Sequence, residues 1–158
     1  MRTNSERTWR LGKFYEQLFA ELEIYVKHLA WLNAAPENKE YQQRTSRRDL
    51  FEHYKIEIEF PPCDAQHIIG YLFELGITEG DKPLSHAELK AWMDNTGVEL
   101  QAYEARFLKR LSETYLAESH KATEQNAQTA WEDAPPQMSA AYLATQRTKA
   151  NLRKIAQQ

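Results

Sequence analysis

Apolar side chains recur along the first third of the chain at Leu11, Tyr15, Leu18, Leu22, Tyr25, Leu29 and Leu32, in alternating steps of four and three. That spacing predicts an amphipathic helix with a heptad seam. Phe14, Phe19 and Val26 sit beside the seam and widen it into a stripe able to meet more than one neighbour, as in a bundle or an oligomer. The pattern fits an ordinary buried helix and a self-association helix equally well. A polar run containing Pro36, "LNAAPENKEYQQRTS", interrupts it and reads as a connector. Ser46 with Asp49 resembles a capping box and predicts a brief helix through Tyr54. Ile56, Ile58 and Phe60 then alternate with Glu57 and Glu59, the signature of a short extended segment, which Pro61 and Pro62 end.

The next helix is predicted from an Asp64 N-cap to Leu75, with Gly76 ending it in left-handed geometry. Ile68, Ile69, Tyr71, Leu72, Phe73 and Leu75 make it apolar nearly all round, so it is either the centre of a core or covered by a partner. Gly70 in its middle costs about 1 kcal/mol relative to Ala; it either allows close approach of another backbone or is a tolerated imperfection. Ser85-His-Ala-Glu88 is a capping box, with Leu84 and Leu89 placed as a hydrophobic staple. The helix it opens carries Leu89, Trp92 and Met93 on one face and stops at Asn95-Thr96-Gly97. Another resumes near Gln101, its face built from Tyr103, Phe107, Leu108, Leu111, Tyr115 and Leu116. The polar, proline-ended stretch from Ser119 to Gln137 reads as a linker, although Trp131 within it suggests docking back onto the domain. Ser139 caps a final, basic helix with a thin stripe of Tyr142, Leu143, Leu152 and Ile155.

The expected fold is therefore all-α: a small helical bundle with a helix-turn-helix corner at Gly97, a heptad-like first helix and a loosely attached last one. The expected divisions are an amino-terminal amphipathic helix over 1–35, a helical core domain over 46–118, a linker over 119–137 and a basic helix or tail over 138–158. At 158 residues and 42% apolar content the chain can bury a core without metals or disulfides. No apolar run reaches the length of a membrane helix, and the amino terminus lacks a signal-peptide pattern. Cys63 is the single cysteine, which points to a reducing, cytoplasmic setting. Residues 56–104 hold 10 acidic and 2 basic side chains, a balance that repels phosphate backbones.

Catalytic and metal-binding signatures do not emerge. There is no Gly-rich phosphate loop, no G-x-S-x-G and no H-E-x-x-H. His86-Ala-Glu88 matches half of a zinc deaminase site, but the required cysteine pair is missing. The five histidines share no ligand spacing. Neither an enzyme nor a cofactor or metal is expected. The binding candidates are apolar: Leu18, Leu22 and Tyr25 on the first helix, and Ile68, Tyr71, Leu72 and Phe73 on the nearly all-apolar one. The alternative is a DNA-binding regulator using the Gly97 corner, with Arg106, Lys109 and Arg110 on its recognition helix. The acidic surroundings of that helix make nucleic acid the weaker partner.

Residues 47–118 resemble the tail assembly chaperones of long-tailed, siphovirus-type bacteriophages, in particular the downstream portion often made by translational frameshifting. The shared run is "RRDLFEHY", "PPCDAQHIIGYLFELG", "PLSHAELKAWMDNTGVELQAYE" and "FLKRLSETYLAE". The chain departs from the pattern in its short "GITEGDK" loop and in Gln101, where a capping Ser or Thr is usual. The first helix has no counterpart in it. The resemblance implies a non-enzymatic viral protein of the host-cell cytoplasm, absent from the mature virion. It would coat apolar helices of the tape-measure protein and recruit tail tube subunits; separately, the wide stripe of the first helix allows a homo-oligomer. A phage-encoded helical adaptor for protein–protein interaction is the remaining alternative.

Overall fold

The computed structural model describes residues 4–37 and 44–158. Among them are six helices, α1 (Asn4–Asn33), α2 (Arg47–His53), α3 (Gln66–Leu75), α4 (His86–Thr96), α5 (Ala102–Lys121) and α6 (Ala140–Ala156). A small antiparallel hairpin, β1 (Thr78–Glu79) and β2 (Lys82–Pro83), separates α3 from α4. The all-α expectation and the corner at Gly97 both hold, and part of the expected connector after α1 lies outside the described residues.

The termini of the helices follow local chemistry. At α4 the Ser85 hydroxyl accepts from the Glu88 N–H at 3.2 Å while the Glu88 carboxylate accepts from the Ser85 N–H at 3.0 Å, a complete capping box. Gly97 ends α4 at φ 72° and Gly76 ends α3 at φ 86°, both in the left-handed region where a Cβ is strained. After α3 the Gly76 and Ile77 N–H groups reach back to the Phe73 and Leu72 carbonyls, the two bonds of a Schellman motif. At α5 the Glu104 carboxylate accepts from the Gln101 N–H at 2.8 Å. That bond satisfies the Gln101 N–H, the half of a capping box that needs no Ser or Thr at Gln101. Ser46 and Ser139 cap α2 and α6 as expected.

Two local expectations are corrected and a third is narrowed. The N-cap of α3 is Ala65 without a side-chain bond, not Asp64, because Ala65 turns into the core and leaves Asp64 exposed. Gly70 is exposed, and a Cβ there would meet nothing within 4 Å, so no backbone approaches it. Residues 56–60 do alternate half-buried and exposed, but no strand pairs with them among the described residues.

The chain divides into two compact units, each drawing on distant parts of the sequence. The first comprises residues 1–26 and 62–116, and the second 27–61 and 117–158. This division replaces the expected one: 1–35 is not a separate element, 46–118 is not one domain, and 119–137 is not a free linker. The reason is that α1 supplies buried side chains to both clusters, and that Ala122, just past α5, joins the second. In the first unit Phe19, Leu22 and Val26 of α1 pack with Ile68, Ile69 and Leu72 of α3, Leu84, Leu89 of α4, and Phe107, Leu108 and Leu111 of α5. In the second, Trp31 and Leu32 pack with Phe51 of α2, Ala122, Met138 and Leu143 of α6. Ala127 and Trp131 of the expected linker are packed against that cluster.

One buried hydroxyl ties the hairpin to the first core. Ser112 of α5 donates to the Ile77 carbonyl at 2.6 Å and accepts from the Leu84 N–H at 2.9 Å. Ile77 holds φ 65°, a costly conformation for a β-branched residue, so this region needs its anchors. Ser112→Ala should destabilise the protein by about 2–4 kcal/mol by stranding both groups, as chemical denaturation would measure. Gly70→Ala has the opposite sign. Helix propensity without any clash should raise stability by about 0.5–1 kcal/mol in the same assay.

Candidate functional site

The stripe on α1 is buried along its later turns and bare along its first ones. Leu22 and Val26 are fully buried, whereas Leu11 and Phe14 are 56% and 58% exposed. Leu18 and Tyr15 stand between, half-buried against the first core. The same helical face thus changes from core to surface within three turns. Trp9, 61% exposed, lies on the opposite face by helical spacing, with the Lys13 ammonium over its ring at 4.1 Å.

From Phe14 a ladder of aromatic rings leads inward. Phe14 meets Tyr15 edge-on at 5.6 Å, Tyr15 meets Tyr103 at 4.7 Å, and Tyr103 meets Phe107 at 5.5 Å. Phe19 lies 5.1 Å from Phe107, and the Arg110 guanidinium covers the Phe19 ring at 3.8 Å. Two shallow grooves flank the ladder. One, of about 320 Å³, is lined by Tyr15, Glu16, Phe19, Ala20, Phe107 and Arg110. The other, of about 430 Å³, is lined by Tyr15, Gln101, Tyr103, Arg106 and Phe107. The aromatic walls thus stand beside charges of both signs, Glu16 and Glu23 with Arg110 in the first groove and Arg106 in the second.

The sequence-derived binding residues fall into three groups. Leu22, Ile68 and Leu72 are core residues of the first unit and are closed to a partner in this fold. Their side chains sit on the inward faces of α1 and α3, which periodicity alone left undecided. Leu18, Tyr25 and Tyr71 are half-buried at the edge of the same core. Phe73 stands 50% exposed on the outer face of α3. Leu11, Phe14, Tyr103 and Phe107 were missing from that set. Leu11 and Phe14 belong to the heptad stripe, but nothing in the pattern marks where its cover ends.

Buried polar groups of the second unit serve its architecture. Arg47 is 1% exposed and donates to the carbonyls of Trp31, Ala122 and Glu124 at 3.1, 2.6 and 3.0 Å. Burial lowers its pKa to about 10, so it stays charged at neutral pH. His28 is fully buried between the rings of Trp31, Phe60 and Trp131. Its Nε2 lies 3.0 Å from the Glu59 carbonyl, which only accepts, so the proton sits on Nε2. The Thr129 hydroxyl then donates to Nδ1 at 2.7 Å. Burial pushes the His28 pKa down to about 4, against the smaller opposing pull of the Glu59 carbonyl. In the first unit burial raises the pKa of the Cys63 thiol, which favours the less nucleophilic form. Among the described residues no group of three or more His, Cys, Asp or Glu side chains could hold a metal ion, and no helix is long and apolar enough to cross a membrane.

Comparison with protein-family models, with curated proteins and with solved structures finds no match to this chain.

The His28 shift has a definite sign. Its folded pKa of about 4 lies below the ordinary 6.5, so above pH 6.5 the residue is neutral in both states and costs nothing. As pH falls from 6.5 to 4 the unfolded chain takes up the proton first, and stability drops by up to about 3 kcal/mol. Denaturation of wild type and His28→Gln at pH 7 and pH 4 should show this extra loss in wild type alone.

Proposed function

We propose that this chain is a non-enzymatic assembly chaperone that covers apolar helices of another protein. The bare start of the α1 stripe beside an aromatic groove, at Leu11, Phe14 and Tyr15, carries the reading. Core-type side chains held at a rigid surface gain most from a partner that presents the same pattern, which is an amphipathic or apolar helix. The resemblance of residues 47–118 to phage tail assembly chaperones names that partner as the tape-measure protein, with tail tube subunits recruited to the complex in the host cytoplasm. The protein would then leave before the virion is complete.

The energetics suit repeated weak contacts. Covering Leu11 and Phe14, each a little over half exposed, contributes about 1–2 kcal/mol apiece. The rigid-body cost of association is of the same order or larger, so one copy on one short helix binds weakly. Several copies along a long helical target gain strength through valency. A tape-measure protein offers such a target, and an isolated globular partner does not.

Co-expression with a tape-measure protein from a long-tailed phage, followed by affinity capture, tests the reading. Wild type should co-purify, and Leu11→Glu with Phe14→Glu should cut capture by at least about tenfold, as for centrally placed apolar contacts. Both positions are exposed, so the variant should keep its helical spectrum and melting temperature. Capture that ignores both substitutions, or no capture of any such helix by wild type, would exclude this face as the binding site.

A further inference from the structure

We infer that a second copy of this chain, antiparallel across Phe14, covers the bare start of α1 when no target helix occupies it. The inference rests on the preceding assignment of this face as a binding surface, and it names what closes that surface at rest.

Charge along α1 selects both the occupant and its direction. Residues 4–14 carry Arg7, Arg10 and Lys13 against Glu6, whereas residues 15–24 carry Glu16, Glu21 and Glu23 and no basic side chain. Two parallel copies would set like charges side by side. Two antiparallel copies set the basic end of each against the acidic end of the other, twice by symmetry.

The register follows from the heptad spacing. Arg7, Phe14 and Glu21 stand seven residues apart and therefore share one edge of the stripe. Each step along that edge is about 10.5 Å. A two-fold axis through Phe14 sets the two Phe14 rings together and brings each Arg7 opposite the Glu21 of the other copy. In the same register Leu11 of each copy meets Tyr15 of the other, at the mouth of the groove lined by Phe19, Phe107 and Arg110. Arg7 and Phe14 are exposed, and Glu21 is half-buried, with one carboxylate oxygen 3.4 Å from the Asp64 N–H. That long bond leaves the second oxygen for Arg7 of the other copy.

Sedimentation equilibrium or light scattering across a concentration series tests the inference, with helicity checked by circular dichroism. Wild type should form a dimer at about 100 µM that weakens as salt rises. Arg7→Glu and Glu21→Arg should each weaken the dimer by about tenfold, and the two combined should recover to within about threefold of wild type, because the isologous pair is then restored with its signs exchanged. Phe14→Glu, which sets two carboxylates on the axis, should remain monomeric. A wild type that stays monomeric at low salt overturns the inference, as does a double variant no better than the singles. A monomer that still captures apolar helices through Phe14 would sink the dimer while leaving the chaperone assignment intact. A charge-swappable dimer that captures none would do the reverse.

Discussion

Burial of the α1 stripe is the constraint on which the two cores depend. Leu22 and Val26 are fully buried in the first core, and Trp31 and Leu32 in the second. Each buried side chain of this kind contributes about 1.5–3 kcal/mol. No other helix among the described residues supplies buried side chains to both clusters; α5, with Phe107, Leu108 and Leu111, serves the first alone. The stripe nevertheless starts before its cover does, and Leu11 and Phe14 remain in water. The same physical drive that assembles the cores is therefore left unmet at the start of α1.

Within the second unit a buried cation takes the role that an apolar residue has elsewhere. The Arg47 guanidinium receives carbonyls from the last turn of α1 and from the residues just past α5. The carbonyl-rich ends of two helices carry partial negative charge, which compensates the guanidinium without a carboxylate contact. The Arg47 N–H also donates to the Ala34 carbonyl, so one residue at the start of α2 closes the end of α1 through both backbone and side chain. His28, kept neutral by burial, extends this polar framework to Glu59 and Thr129. These groups position backbone and are shielded from solvent.

Much of the helical order was legible locally. The Ser85–Glu88 box, the Gly76 and Gly97 ends, the Ser46 and Ser139 caps and the corner between α4 and α5 all depend on side chains within a few residues of the backbone they satisfy. The Ala65 cap of α3 was not legible, because Asp64 is the better local cap and only the core demands Ala65. The stretch 119–137 read as a linker because most of its residues are polar. Trp131 docks back as its size in a polar stretch suggested, whereas Ala122 and Ala127 gave no such signal; all three find apolar neighbours from α1 and α2, and the Trp31 indole N–H donates to the Ala127 carbonyl at 2.7 Å.

The candidate site divides along the same line. Sequence by itself determined that α1 and α3 carry more apolar surface than a solvated helix needs, because periodicity is a property of neighbours three and four residues apart. Only the tertiary structure decided which part of that surface is core. Ile68 and Leu72 vanish inside while Phe73, one residue on, faces water. Leu22 is buried while Leu11, on the same seam, is not. Burial is set by whatever segment arrives from elsewhere in the chain, such as α5 with Phe107 or Leu84 beside the hairpin, and no local pattern records where that cover ends.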